Sequence, residues 1–344
     1  VLGETNLHSE FVNPGIIVHR AKMEKSLSGL IKAVGKLRDV SKTCKWHVLH
    51  AHMFHANIVA RLARTFFSTA QLVSTEHSNN EGGTARMLAY RVTDFLSDLN
   101  TNVSEKALQR YVALGAFSKR KSACVYNFVD TTSYRKNALV REAMRKSENL
   151  KMSDFAILSV GRLAPEKNHA LLLNAFALLL PAYPSLKLYL VGDGVQRENL
   201  ELLSRTLGID RSVRFCGAQR NTAEWYSFAD LFVLSSDIEG FGLVLAEAMA
   251  CECPAVATDV GGCAEVIGDA HYLVPAGDDN QLKTKIENLV RMSNTQRVEL
   301  GRALRSRMLE KFDLQVIVGQ WEEIYSNPRD VDFEQLNKRQ IVSS

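Results

Sequence analysis

Ser236-Asp-Ile-Glu-Gly-Phe-Gly-Leu-Val-Leu-Ala-Glu247 is the stretch on which the fold turns. A β-rich run at 230–235 ends where it begins, and a helical pattern starts at about Leu243. In an open parallel sheet, ligands bind outside the carboxyl ends of strands and beside helix N-termini. Gly240 and Gly242 are expected to take unusual φ values and let the backbone approach a ligand closely. The N–H groups of Phe241, Gly242 and Leu243 then face an anionic or hydroxyl-rich molecule. Glu239 and Glu247, eight positions apart, are poor company for a diphosphate, so their natural partners are sugar hydroxyls. A carboxylate placed only to complement the helix dipole would account for Glu239 but not for Glu247.

Outward from this stretch the second half alternates strand and helix. Short β-rich runs stand at 155–160, 186–191, 213–216, 230–235, 254–258 and 271–274, with helical patterns at 170–180, 198–207, 243–250, 281–292 and near 295–309. Strands separated by single helices imply right-handed βαβ units and a parallel, doubly wound sheet. The first half repeats the theme, with strands at 46–50, 71–76, 99–103 and 122–126 and helices at 56–66, 84–95 and 105–114. Two Rossmann-like domains follow: 1–135, and 153–312 after a polar, charged linker at 136–152. A helix at 313–326 is expected to cross back to the first domain, ahead of a tail at 327–344. No short-period repeat or low-complexity tract interrupts the pattern.

At 344 residues, with 46% apolar and 23% charged residues, the chain has the balance of a globular protein able to bury two cores. Its longest apolar run, 170–182, holds Asn174 and Pro181 and is too short to span a bilayer. The scattered cysteines lack the paired spacing of a zinc site and read as reduced thiols in a cytoplasmic protein. Residues 1–150 carry 22 Lys and Arg against 12 Asp and Glu, whereas the remainder carries 20 against 26. A basic front half favours anionic partners, and in the absence of a nucleic-acid motif the expected partner is an anionic lipid surface. The segment 24–45 fits that expectation. Leu27, Leu30, Ile31, Val34 and Leu37 keep helical spacing while Lys25, Lys32, Lys36, Arg38 and Lys42 fall largely elsewhere. Such a helix either covers a sheet with its lysines in water or lies on the membrane.

The second chemical constellation is Ser159-Val-Gly-Arg-Leu-Ala-Pro-Glu-Lys-Asn168. Gly161 makes the turn after a strand, and Arg162 and Lys167 are expected to project two fixed cations from the sheet edge. A guanidinium and an ammonium stabilise the charge of a departing diphosphate and can stand in for a metal ion. No metal and no cofactor are expected.

Together these runs resemble the retaining GT-B glycosyltransferases of family 4. The resemblance rests on GRLAPEKN, VGDGVQRENLE, VRFCG, ADLFVLSSDIEGFGLVLAEAMACECPAVATDVGGCAEVI and YLVPAGD in the second half. In the first it rests on VLHAHMFHAN, STEHSNN and VYNFVDTTSY. It implies a GT-B fold of two Rossmann-like domains facing a cleft. It further implies transfer, with retention, from a UDP- or GDP-sugar to a saccharide or lipid-linked acceptor on the inner face of the cytoplasmic membrane. By the same resemblance, Glu239 contacts the donor sugar and Glu247 the nucleotide ribose, within a binding run that includes Gly240, Phe241, Gly242, Leu243 and Val244. Arg162, Lys167 and Gly161 match the diphosphate site, and His77 the histidine that touches the transferred sugar. His52 and Asn127 are the acceptor-side candidates. Phe128 stands where the family has glycine, which calls the local turn into question. The family's first domain opens with a strand, a glycine-rich loop, a helix and a second strand. Here the first match, near 16–19, reads as its third strand, so a front of that domain is expected to be missing and transfer to be poorer than binding. A silent nucleotide-sugar-binding protein, a nucleotide-sugar epimerase and a phosphorylase are the rivals; nothing marks a pyridoxal phosphate lysine. Transfer, donor hydrolysis or binding without turnover would separate them.

Overall fold

The computed structural model describes residues 26–43, 46–67, 71–79, 83–151 and 153–326. The strand expected at 16–19 and the tail lie outside them. Two compact units are formed, one by the chain up to Val125 together with the chain from Trp321, the other by Tyr126–Gln320.

In the first unit, α1 (Leu27–Ser41), β1 (Val48–His52), α2 (Phe54–Ala63), β2 (Gln71–Glu76), α3 (Thr84–Thr93), β3 (Leu99–Asn102), α4 (Glu105–Ala113) and β4 (Ser122–Cys124) follow in order. The strands are parallel in the order β1-β2-β3-β4, and among the described residues β1 pairs with β2 alone. Ser26 caps α1 by accepting from the Gly29 N–H at 3.1 Å, the pairing that offsets a free helix-end donor. The small residues Gly29 and Ala33 are the buried face of α1, while Leu27 and Ile31 point to solvent. The expected apolar stripe packs only in part: Leu30, Val34 and Leu37 are half-buried, Leu27 and Ile31 stand exposed, and the small residues take the most buried positions.

Buried parallel strands ordinarily read as runs of Val, Ile and Leu. Here β2 is Gln-Leu-Val-Ser-Thr-Glu and β3 Leu-Asn-Thr-Asn, every residue buried. Arg61, fully buried on α2, explains part of this. Its guanidinium bonds Ser74 Oγ, the Tyr90 carbonyl, Thr93 Oγ1 and Asn100 Oδ1, and lies 4.9 Å from the Tyr90 ring centroid. Burial pulls the Arg61 pKa down to about 10, so the group stays cationic at neutral pH. A buried charge is tolerated where its donors are matched, and the polar strands supply the match.

The second unit contains α5 (Ala138–Ser147), β5 (Phe155–Val160), α6 (His169–Leu179), β6 (Leu186–Val191), α7 (Arg197–Thr206), β7 (Val213–Gly217), α8 (Thr222–Phe228), β8 (Leu231–Leu234), α9 (Leu243–Ala250), β9 (Ala255–Thr258), α10 (Cys263–Ile267), β10 (Leu273–Val274), α11 (Asp279–Arg291) and α12 (Asn294–Lys311). A final helix, α13 (Leu314–Ser326), passes from this unit into the first at Trp321. The sheet is parallel, in the order β10-β9-β8-β5-β6-β7. One face carries a continuous core in which Leu172, Phe176 and Leu179 of α6 meet Ile157, Leu188 and Val233, with Leu282 and Ile286 of α11 alongside. Each fully buried side chain of this kind contributes roughly 1.5–3 kcal/mol.

The stretch expected as a linker contains α5. Asn137 caps it through bonds from the Leu139 and Val140 N–H groups. Arg141 and Arg145 then converge on Asp230, at 2.5 and 3.0 Å, just before β8. The charged sequence looks solvated because the partner that accepts its arginines lies far along the chain.

Candidate functional site

In the second unit the strand order turns at β5, which has β6 on one side and β8 on the other. At such a switch point the connections leave in opposite directions and open a crevice beyond the strand ends. The two loops singled out in the sequence emerge there, Gly161 to Lys167 from β5 and Ser235 to Gly242 from β8. Backbone bonds join them: the Asp237 N–H donates to the Glu166 carbonyl at 2.9 Å, and Ser235 Oγ donates to the Lys167 carbonyl at 3.2 Å. Asn168 takes a left-handed conformation (φ 41°) and caps α6, and its amide also donates to Asp237 Oδ1 at 3.0 Å.

These links bring Lys167 Nζ to 2.6 Å from Glu239 Oε1, which also accepts from Ser236 Oγ at 2.8 Å. The side chains are only 20% and 10% exposed, so each charge depends on the other. Glu239, expected at a ligand-facing turn, is the anionic half of a largely buried pair. Arg162 differs. It was expected as a fixed cation, but its side chain is 75% exposed and bonded at 2.7 Å to Glu166 on its own loop. Of the two cations, only Lys167 is held by the fold.

Gly242 has φ +92° at the N-cap of α9, a conformation costly for any residue with a Cβ. Gly240 keeps an ordinary φ, which corrects the expectation for that residue. The glycine missed is Gly261, in the loop after β9. It has φ +53°, and a Cβ there would lie 1.9 Å from the Glu239 carbonyl oxygen. The adjacent Gly262 N–H bonds the Gly240 carbonyl at 3.0 Å. The Gly-Gly pair thus supports the glutamate-bearing loop from below. Its signal was present as the Gly261-Gly262 dipeptide in a strand-to-helix turn.

Among the described residues the N–H groups of Phe241, Gly242, Leu243 and Val244 donate to no protein acceptor. They form a row of donors at the positive end of α9, suited to a phosphate or hydroxyl oxygen. The Phe241 side chain takes no part, being buried against Tyr126 and Phe312 at centroid distances of 6.0 and 5.4 Å. Glu247, one turn further in, accepts from the Tyr226 hydroxyl at 2.8 Å. Burial raises its pKa, against which the hydrogen bonds from Tyr226 and Tyr134 pull down. Asn127 makes no side-chain hydrogen bond among the described residues. Phe128 is exposed and has no positive φ, so the missing glycine strains nothing. Asp130 organises that turn by accepting from the Thr132 and Ser133 N–H and hydroxyl groups, which hold its pKa down to about 2.

In the first unit, the carboxyl ends of β1 and β2 carry histidines. His52 Nδ1 and His77 Nε2 are 2.9 Å apart, so one ring donates and the other accepts. His50, overlooked in the sequence, lies against His52 with ring centroids 4.0 Å apart and planes tilted by 32°. Its Nδ1 meets the Tyr325 hydroxyl at 2.6 Å and its Nε2 meets Thr75 Oγ1 at 2.6 Å. Burial first, and then the neighbouring histidines, push the His50 pKa down to about 3 and that of His77 to about 4; burial also lowers that of His52. All three are neutral at physiological pH, and His77 can exchange a hydrogen bond with a sugar hydroxyl without carrying charge. Alternation along β1 (Val-Leu-His-Ala-His) places His50 and His52 on one face. That was the available signal for His50.

Among the described residues no three His, Cys, Asp or Glu side chains form a metal-ligand set, and no helix is long and apolar enough to cross a membrane.

The chain is similar to known proteins in sequence and in fold. Residues 140–307 match the family model described as "Glycosyl transferases group 1", and residues 4–133 the model described as "Glycosyltransferase Family 4". N-acetyl-alpha-D-glucosaminyl L-malate synthase of Bacillus anthracis is 31% identical over 301 residues, 84% of this chain and 77% of the relative. A Campylobacter jejuni N-acetylgalactosamine-N,N'-diacetylbacillosaminyl-diphospho-undecaprenol 4-alpha-N-acetylgalactosaminyltransferase is 31% identical over 247 residues, 67% of this chain and 65% of the relative. Among solved structures, Anabaena HepE in complex with UDP superposes with a TM-score of 0.77 at 22% identity, covering 86% of this chain and 82% of that one. A Rickettsia africae glycosyltransferase superposes with a TM-score of 0.80 at 16% identity, covering 92% and 85%. At those identities the two structural likenesses bear on the fold alone.

Proposed function

This chain belongs to the GT-B glycosyltransferases of family 4, and we propose that it moves a sugar, with retention at the anomeric carbon, from a nucleotide-diphosphate sugar to a membrane-associated acceptor. The observation that carries the reading is the Lys167–Glu239 pair at the β5–β8 switch point, beside the open N–H row of α9. In this reading the diphosphate takes the N–H row and Lys167, with Arg162 swinging in from solvent. Glu239 accepts from the donor sugar's hydroxyls and Glu247 from those of the ribose. His77 is assigned to the transferred sugar, and His52 and Asn127 to the acceptor.

The bond from the anomeric carbon to the diphosphate oxygen breaks as the acceptor oxygen bonds to that carbon on the same face. The acceptor's proton passes to the departing phosphate oxygen. Lys167 and the N–H row stabilise the charge left on the diphosphate, the kind of preorganised electrostatic help that removes several kcal/mol from a barrier, so no metal ion is required. Glu239 and Glu247 are hydrogen-bond acceptors in this scheme, not the carboxylate pair of a glycosidase.

A polyprenyl-diphosphate-linked saccharide is the proposed acceptor class. The undecaprenol-linked substrate in the name of the Campylobacter relative supports it. Peripheral binding to an anionic membrane is supported by the basic front half and by Leu27 and Ile31, exposed on α1 beside Lys32. The test is a thermal-shift screen of UDP- and GDP-sugars, followed by mass spectrometry of transfer to a lipid-linked saccharide and NMR assignment of the new anomeric centre. A donor at 100 times its dissociation constant should stabilise by about 2.7 kcal/mol. No stabilisation by any UDP- or GDP-sugar, or an inverted product, would overturn the proposal.

A further inference from the structure

Tyr226 sits on α8 with 1% of its surface exposed, its ring edge-on to Phe232 at 5.6 Å. A phenol buried this deeply must find a hydrogen-bond partner, and its partner is Glu247 Oε2 at 2.8 Å. Among the described residues Tyr226 is the one protein donor that meets Glu247 at full hydrogen-bond geometry, and the Tyr134 hydroxyl lies near enough to act on the carboxylate as well. Each carboxylate oxygen offers two lone pairs, so beyond the Tyr226 bond and the neighbouring Tyr134 hydroxyl the carboxylate keeps acceptor capacity for a ligand. Tyr134 stands beside the same group, its ring centroid 6.2 Å from that of Tyr226 and its hydroxyl 3.3 Å from Thr222 Oγ1.

We propose that Tyr226 is the positioning residue for Glu247: its phenol fixes the plane of the carboxylate and leaves acceptor lone pairs for the vicinal hydroxyls of a nucleotide ribose. This rests on the assignment of Glu247 to the nucleotide. Without such a donor, a buried glutamate is less firmly oriented and takes up a proton more readily, which turns one of its acceptor sites into a donor. Burial already raises the Glu247 pKa, and the Tyr226 bond is the largest influence opposing that rise.

The other groups near Glu247 do not compete for the role. Cys251, one turn along α9, has its thiol pushed up to about 12 and is neutral. Arg305 of α12 is committed to the Thr131, Tyr134 and Ala250 carbonyls. Thr222 carries no charge, and Tyr134 acts in the same direction as Tyr226.

The experiment is calorimetric titration of the full chain with UDP and with GDP between pH 5 and 8, alongside the 2',3'-dideoxy form of whichever binds. Tyr226→Phe keeps the ring and removes one oxygen. It should weaken nucleotide binding about ten-fold while leaving the dideoxy nucleotide unaffected, because only the ribose hydroxyls use Glu247. The pH at which affinity falls should also move upward, since an unassisted carboxylate protonates sooner as pH drops. Tyr134→Phe, nearer the surface, should move both readouts the same way by less, and it serves if Tyr226→Phe does not fold. Equal losses for ribose and dideoxy ligands, or an unmoved pH midpoint, would reduce Tyr226 to a structural residue. Glu247→Gln is the separate control: unchanged nucleotide affinity in that variant would overturn the nucleotide-site assignment itself.

Discussion

Replacing Glu239 with alanine leaves the Lys167 ammonium without its counter-charge in a site where it is only 20% exposed. Exposed ion pairs contribute at most about 1 kcal/mol, whereas breaking a fully buried pair costs about 3–5 kcal/mol. The Lys167–Glu239 pair lies between these limits, because the lysine reaches some water, and a loss of about 2 kcal/mol is expected. For a unit of this size each kcal/mol moves Tm by roughly 2–4 °C, so Tm should fall by about 4–8 °C. Lys167→Met should cost a similar amount, because it strands Glu239 in turn. The double variant Lys167→Met with Glu239→Ala should recover most of the stability, since no buried charge remains, yet should not recover transfer. Urea denaturation of the four proteins gives the coupling energy directly. Transfer assayed well below each Tm separates folding from chemistry. Additive single effects, with coupling under about 0.5 kcal/mol, or a double variant that transfers sugar, would refute the pairing or its role.

Three further outcomes are expected. His50 and His77, held neutral with pKa values near 3 and 4, bind protons in the unfolded chain before they do in the folded one. Stability should therefore be fully present above about pH 6.5 and decline as pH falls toward 4, at about 1.4 kcal/mol per pH unit for each proton. A His50→Gln variant whose Tm falls just as steeply with acid would rule this out. EDTA should leave initial transfer rates unchanged while Lys167→Ala lowers them about 10²–10³-fold, and a rate that returns only with Mg²⁺ or Mn²⁺ would count against the site. Co-sedimentation with anionic vesicles should weaken with salt and with Lys32→Glu and Lys36→Glu, at about 1 kcal/mol for each basic residue near the surface; equal binding to neutral vesicles would contradict it.

How much of this was legible depended on the range over which each signal acts. The strands and helices of the second unit could be placed because their periodicity and glycine turns are local properties. Three helices were not: α5, α8 and α10. Two of these are short, and in α5 the apolar positions Val140, Ala143 and Met144 keep helical spacing but were passed over because charged residues dominate the stretch around them. The Glu239 and Glu247 spacing and the Gly161–Lys167 loop stood out because their residue types are unusual at strand ends. Gly261 and Tyr226 did not, because a glycine under a carbonyl and a phenol in a core look like any others until their neighbours are known. His50 was passed over in favour of His52, although both lie on the same face of β1.

By itself the sequence determined the alternation of elements, the parallel sheets it requires, and the place along the chain where a ligand-binding turn must lie. These follow from side-chain periodicity and backbone freedom, which act within a few residues. Only the tertiary structure decided which charges are paired and which are free. Arg162 and Lys167 look equivalent in the sequence, yet one ends in solvent against Glu166 and the other is buried against Glu239. Arg61 would be placed on a wet helical face, yet it is the centre of a polar core. Electrostatic worth depends on burial and on a partner's distance, and both are set by elements that approach only when the sheet closes.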